Sequence, residues 1–192
     1  MNNNKMSRFQ NVTAQSKIIN VGNNLGLSGL KNQQGTTVIK YDTLPIDGRT
    51  QYNFFQESNN RPFPLSNTGT DGGKLGVGES LTIQRISFAT VSGGKFNPLD
   101  GGLAGLIDGE LTIVVANSNI LLRLPILQFL PEYNKDAENN LNTSYELDTL
   151  LIIPPQLDFT FQLRVSGALI EDTSLRLTVE GVGSIFSPRT TL

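Results

Sequence analysis

Residues 157–165 read LDFTFQLRV. Leu157, Phe159, Phe161, Leu163 and Val165 fall on one side of an extended chain, and Asp158, Thr160, Gln162 and Arg164 fall on the other. Side chains alternate between faces along a strand, so one dry face and one wet face call for an antiparallel sheet covered on one side. SLRLTVEGVG (174–183) repeats the device with Leu175, Leu177 and Val179. SLTIQRISFATV (80–91) starts with Leu81 and Ile83 on one face, then moves to Ile86 and Phe88. A period of two that slips by one residue predicts a β-bulge near Gln84–Arg85.

Three further runs extend the pattern. GELTIVVAN (109–117) sets Leu111, Ile113 and Val115 on one face, and Val114 on the other implies burial on both sides. ILLRLPILQFLP (120–131) carries Leu122, Leu124 and Ile126 in register, with Pro125 marking an edge strand because proline cannot donate to a ladder. YELDTLLIIPP (145–155) is a strand stopped by Pro154–Pro155. Helical periodicity is weak throughout; the candidate short helical turns are 101–109 and part of 134–141. The 19 glycines and 9 prolines cluster between the apolar runs. About eight short strands in roughly 150 residues suit a two-sheet jelly roll. The expected fold is all-β: an antiparallel two-sheet sandwich, jelly-roll-like, over residues 42–192, preceded by an extended arm over residues 1–41.

Charge separates the same two parts. Residues 1–41 hold Lys5, Arg8, Lys17, Lys31 and Lys40 and no acid, a net +5, whereas residues 42–192 hold 10 basic and 17 acidic residues, a net −7; together these give −2. The basic part is rich in Asn, Gln and Gly. Ile18, Ile19, Val21, Leu25, Leu27 and Leu30 distinguish it from a purely solvating tail and favour an arm that orders on a partner. Five dispersed charges are a thin footprint for nucleic acid, so contact between arm and nucleic acid is a secondary expectation.

Several chemistries are excluded by residue type. Cysteine and histidine are both absent, which removes disulfides, thiolate metal sites and the commonest general base and metal ligand. GTDGGKL (69–75) has Thr68 and Leu75 where a phosphate loop needs Gly and Ser or Thr, and SGGKF (92–96) fails likewise; both read as turns. Glu146 and Asp148 share a strand face, which reads as solvation rather than a glycosidase pair. NKDAENN (134–140) offers oxygen ligands to Ca²⁺ without the glycine and terminal glutamate of an EF-hand, and reads as a solvated loop. Asn11 and Asn142 open glycosylation triplets that carry little meaning without a secretory signal, and MNNNKMSRFQ has no apolar core of that kind. The most apolar stretch, 111–130, is broken by Asn117, Asn119, Arg123 and Pro125, so no membrane span is expected. The chain is expected to stay in a cytoplasm or to be assembled there into something larger. The expectation is no catalytic residue, no cofactor and no metal.

YNFFQESNNRPFPLSNTG (52–69) concentrates Tyr52, Phe54, Phe55 and Phe63 in a chain that is 7% aromatic. Two readings are open: a loop tucked over its own sheet, or a clasp between subunits with Arg49 and Arg61 anchored to carboxylates on a neighbour. Under the second reading the interface residues are Arg49, Tyr52, Phe54, Phe55, Arg61 and Phe63, with Ile18, Ile19, Leu25 and Leu27 of the arm.

LPIDGRTQYNFFQESNNRPFPLSN (44–67), followed by LGVGESLTIQRISF (75–88), with an Asn-rich arm before and a sandwich after, resembles phage virion proteins of the single jelly-roll capsid type. The resemblance implies a minor capsid or vertex (penton) subunit of the virion, assembled in the host cytoplasm. Such a subunit forms a homo-oligomer around a symmetry axis, holds other capsid proteins with its arm and carries no catalytic residues. The rival from another class is a lectin-like sandwich binding carbohydrate, which would usually present exposed Trp or Tyr; the chain has no Trp and four Tyr.

Overall fold

The computed structural model describes residues 33–56, 61–68, 73–76, 79–92, 95–98, 106, 108–116, 119–129, 144–167 and 173–186. Among these residues nine strands follow in order: β1 (Gln33–Pro45), β2 (Gln51–Phe54), β3 (Glu79–Ser92), β4 (Lys95–Pro98), β5 (Glu110–Val115), β6 (Asn119–Pro125), β7 (Ser144–Ile153), β8 (Phe159–Arg164) and β9 (Ser174–Phe186). A 3-10 turn over Ile126–Phe129 follows β6 directly. There the expected continuation of the strand ends, because Pro125 has no N–H to extend the ladder.

The pairing is nested. β5 pairs with β6, β3 with β7, β2 with β8 and β1 with β9, all antiparallel. The chain is therefore one long antiparallel ribbon with the β5–β6 hairpin at its tip. Lateral pairing of β3 with β9 and of β5 with β8 rolls that ribbon into two sheets, β1-β9-β3-β7 and β2-β8-β5-β6, with β4 hairpinned onto the end of β3. This is the two-sheet jelly roll that the strand spacing predicts.

Between the sheets lies one core. Leu81, Ile83, Ile86, Phe88, Leu111, Ile113, Phe159, Phe161, Leu163, Leu175, Leu177 and Val179 are all buried in it. Edge-to-face rings cross it, Phe54 on Phe88 at 5.9 Å and Phe88 on Phe129 at 5.1 Å between centroids. The predicted bulge is present: against β9 the register of β3 shifts between Ile83 and Arg85, paired with Gly181 and Glu180, so Gln84 is the extra residue there, whereas against β7 the same step passes over 147–150 and the extra residues are on β7. The Gln84 bulge lets Ile83 and Ile86 both face the core. Opposite it, Gly181 lies so close to β3 that a Cβ would sit 1.9 Å from the Thr82 carbonyl oxygen. No larger residue fits there.

Three expectations need adjustment. Leu157 is exposed in the turn before β8 rather than on its dry face. Val114 is only partly buried, so the outer face of the second sheet is not a second core. Residues 33–41, read as part of the arm, run in β1 and pair with β9 along its length, so the 41/42 boundary falls inside a strand.

Candidate functional site

The aromatic-proline stretch divides into two parts with different tasks. Gln51–Phe54 is a short strand whose alternation is QYNF, and Tyr52 and Phe54 point inward with no exposed surface. Phe55 follows at φ 60°, a left-handed conformation that costs a bulky residue about 1–3 kcal/mol. Its ring is held in the core against Phe161 at 5.3 Å and Phe159 at 5.8 Å. Tyr52, Phe54 and Phe55 therefore do not serve as intersubunit contacts. Their surface is already spent inside their own sandwich, and only unfolding would release it. Burial pushes the Tyr52 hydroxyl above the usual phenol range.

Asp42 joins this core to the second part. It sits on the inward side of β1, 1% exposed. Its carboxylate accepts from the Phe55 N–H at 2.8 Å, from the Thr43 N–H at 3.0 Å and from the Arg61 guanidinium. A buried charge is tolerated only when paired and hydrogen-bonded, and three donors meet that condition. The Phe55 backbone twist is what aims its N–H at this acceptor.

From Arg61 the chain turns around the β1 edge as a strap over residues 61–68. The Leu65 N–H donates to the Pro62 carbonyl at 3.0 Å, closing a turn that contains the cis Phe63–Pro64 peptide. Asn67 then imitates a neighbouring strand. Its side-chain oxygen accepts from the Tyr41 N–H at 2.7 Å, its amide donates to the Ile39 carbonyl at 2.7 Å, and its own N–H donates to the Tyr41 carbonyl at 3.3 Å. Ser66 forms a β-bridge with Asp42. On the outer face of the sheet Arg176 donates to Thr43 Oγ1 at 2.9 Å and to the Pro64 carbonyl at 2.7 Å, with its guanidinium 4.4 Å from the centre of the Tyr41 ring. The strap is thus tied to β1 from inside, edge and outside.

What the strap displays is apolar. Phe63 is 81% exposed, Leu65 and the neighbouring Ile39 of β1 are exposed too, and Pro62 and Pro64 flank the ring. A phenyl ring held out in water on a tied turn is unusual for a monomer surface. Of the described aromatic residues expected to form an interface, Phe63 is the one with an exposed side chain. Arg49 and Arg61 bind carboxylates of their own chain, Asp47 at 2.6 Å and Asp42 respectively, rather than a neighbour's. The Arg49 hydrogen bond holds Asp47 below the usual carboxylate range. Ile18, Ile19, Leu25 and Leu27 lie outside the described residues, as do the 134–140 loop, the triplet at Asn11 and both Asn142 and Thr143 of the second triplet. Glu146 is paired with Arg85 at 2.9 Å, and Arg85 also reaches Glu180 at 3.4 Å. Among the described residues no three His, Cys, Asp or Glu side chains group to hold a metal, and no helix is long and apolar enough to cross a membrane.

No protein-family model and no curated protein matches the chain. Among solved structures, a chain from "Acidic stable capsid structure of Helicobacter pylori bacteriophage KHP30" aligns over 81% of this chain and 95% of its own, at 10% identity and a TM-score of 0.37. That neighbour is a phage capsid protein, and a likeness at this level transfers no property to the present chain.

Proposed function

We propose that this chain is a non-enzymatic virion structural protein, a single jelly-roll subunit of a phage capsid that acts as a minor capsid or vertex protein. One observation carries the reading: a strap secured to β1 by Asp42, Asn67 and Arg176 serves to hold Phe63, Leu65 and two prolines in solvent. Fixing an apolar turn in advance lowers the entropy lost on docking, which is useful only if something docks. The basic segment ahead of β1, with Ile18, Ile19, Leu25 and Leu27, adds a second grip on neighbouring shell proteins, with nucleic-acid contact through its lysines and arginine a secondary role. Assembly takes place in the host cytoplasm and the product resides in the virion.

Mass spectrometry of purified phage particles tests this. The protein is expected at a fixed ratio to the major shell component through successive density gradients. Its absence from washed particles, together with glycan binding by a strict monomer, would instead establish the lectin-like alternative.

A further inference from the structure

A strand at the end of a sheet carries a row of backbone N–H and C=O groups to which another extended chain can add itself. Among the described residues the sheet ends differ in how they discourage this. β2 and β4 are four residues each. β6 carries an extra residue, Leu121, against β5 and stops at Pro125. β7 has extra residues between Glu146 and Leu151 and is followed by Pro154. Shortness, bulges and proline all blunt an edge. β1 has none of these before Pro45. It is 13 residues long, keeps an unbroken register with β9 and ends its sheet among the described strands.

The sequence of β1 sharpens the problem. Thr36, Thr37, Val38, Ile39, Lys40 and Tyr41 are β-branched or aromatic apart from one lysine, and none is Gly or Pro. A six-residue run of that composition on a sheet edge is a hazard for cross-β stacking. Asn67 of the strap stands against this run. Its Oδ1 accepts from the Tyr41 N–H at 2.7 Å, and its Nδ2 donates to the Ile39 carbonyl at 2.7 Å. The Tyr41 carbonyl accepts from the Asn67 N–H at 3.3 Å and from Ser66 Oγ at 3.2 Å. Two residues along the edge, the Thr43 N–H donates to Asp42 Oδ1 at 3.0 Å. One residue of the strap therefore fills ladder positions that a neighbouring strand would fill from its backbone. The Arg61 pairing with Asp42 and the Arg176 bond to the Pro64 carbonyl keep the strap in place.

We propose that Asn67 is an edge guard: it occupies the Ile39 and Tyr41 positions on the β1 edge and keeps an extended segment, above all the 36–41 run of another copy, from adding a strand there. The inference does not depend on the virion reading, because it concerns a contact that the strap prevents rather than one that it makes. The excluded partner follows from the run itself. Two copies of 36–41 paired antiparallel about their middle set Val38 of one opposite Ile39 of the other. They also leave Lys40 opposite Thr37, so no like charges meet and nothing in the pairing opposes it. The guard is concentrated in one side chain and its own N–H, so a single substitution opens the edge.

Asn67→Ala tests this while leaving Phe63, Leu65, Asp42 and Arg176 in place. Hydrogen exchange read by NMR should quicken about tenfold or more at the Tyr41 amide and hardly change at Leu177, in the middle of the sheet on β9. The parent and the variant are then shaken at one concentration, at a temperature where melting curves show both folded. Asn67→Ala should form aggregates that bind thioflavin T while the parent stays clear. Adding Ile39→Lys puts a charge on the same edge without restoring the Asn67 bonds, and should suppress those aggregates. Should Asn67→Ala not fold, Asn67→Ser takes its place, since a hydroxyl cannot reach both Ile39 and Tyr41. Unchanged exchange at Tyr41 overturns the guard. So does faster exchange with no gain in aggregation, and so does aggregation that Ile39→Lys leaves undiminished. None of these results touches the virion reading, which is judged on the parent chain alone.

Discussion

Removing the Asp42 carboxylate should release the strap and cost a large share of the domain's stability. In Asp42→Ala the Phe55 and Thr43 N–H groups lose their acceptors and the Arg61 guanidinium, 16% exposed, loses its counter-charge. Breaking one side of a buried ion pair costs about 3–5 kcal/mol, and an orphaned buried donor costs about 1–3 kcal/mol. These overlap, because water entering at the strap edge relieves part of both, so about 3–5 kcal/mol in total is expected. Domains are stable by about 5–15 kcal/mol, so the variant should fold but marginally. Arg61→Ala leaves the buried Asp42 carboxylate with two N–H donors but no counter-charge, so its cost should fall in the same range, about 3–5 kcal/mol. The chain has no tryptophan, so urea unfolding is followed by circular dichroism and tyrosine fluorescence. With a slope of about 2 kcal/mol per molar urea, Asp42→Ala should move the midpoint down by roughly 2 M. A double-mutant cycle should give a coupling of about 1–3 kcal/mol between the two residues. A cost below about 1 kcal/mol for Asp42→Ala, or additivity of the two changes, would refute the claim that this carboxylate ties strap to core.

Gly181→Ala should destabilise the fold by more than about 4 kcal/mol or prevent soluble expression, because its Cβ would meet the Thr82 carbonyl at 1.9 Å and backbone must move. Gly183→Ala should cost less in a thermal melt, since its nearest contact, at 2.4 Å, is a Val38 methyl and the nearest backbone atom, the Ser80 carbonyl oxygen, is at 3.0 Å. Burial raises the folded-state pKa of Tyr52 above its unfolded value. The resulting stability is complete below the unfolded phenol range, near pH 10, and is lost as pH rises through the folded value. Ultraviolet difference titration should show Tyr52 ionising last and together with unfolding, and Tyr52→Phe should shift that alkaline transition upward.

Much of the fold is written in local pattern. The alternation in 159–165 and 175–179 gave two strands and their dry faces, the slipped period near Gln84 gave the bulge, and Pro125 marked an edge. Each is a backbone constraint expressed within a few residues. The strand at 33–41 also had a local sign, the β-branched run Thr36, Thr37, Val38 and Ile39, but the Asn- and Gly-rich sequence before it drew those residues into the arm. Likewise QYNF alternates, which separates buried Tyr52 and Phe54 from exposed Phe63, and grouping all the aromatics together obscured it. Two glycines two residues apart within VEGVG signalled close backbone approach in a strand. Other features have no local sign. Nothing near Asp42 in the chain shows that it will be buried, that Arg61 will face it from 19 residues away, or that Arg176 will reach the strap from 112. Those contacts come from rolling the ribbon, which brings distant strands to one edge.

Light scattering of the parent chain and of Phe63→Ser, over a shared concentration series, tests the central claim most directly. Phe63 is solvent-exposed, so the substitution should leave the melting temperature within the range of an ordinary surface change, about 0.5 kcal/mol. The parent is expected to reach a multi-subunit mass as concentration rises, and Phe63→Ser to remain at or near 20.9 kDa under the same conditions. A parent that stays monomeric throughout, or a Phe63→Ser chain whose mass follows the parent's, would contradict the account.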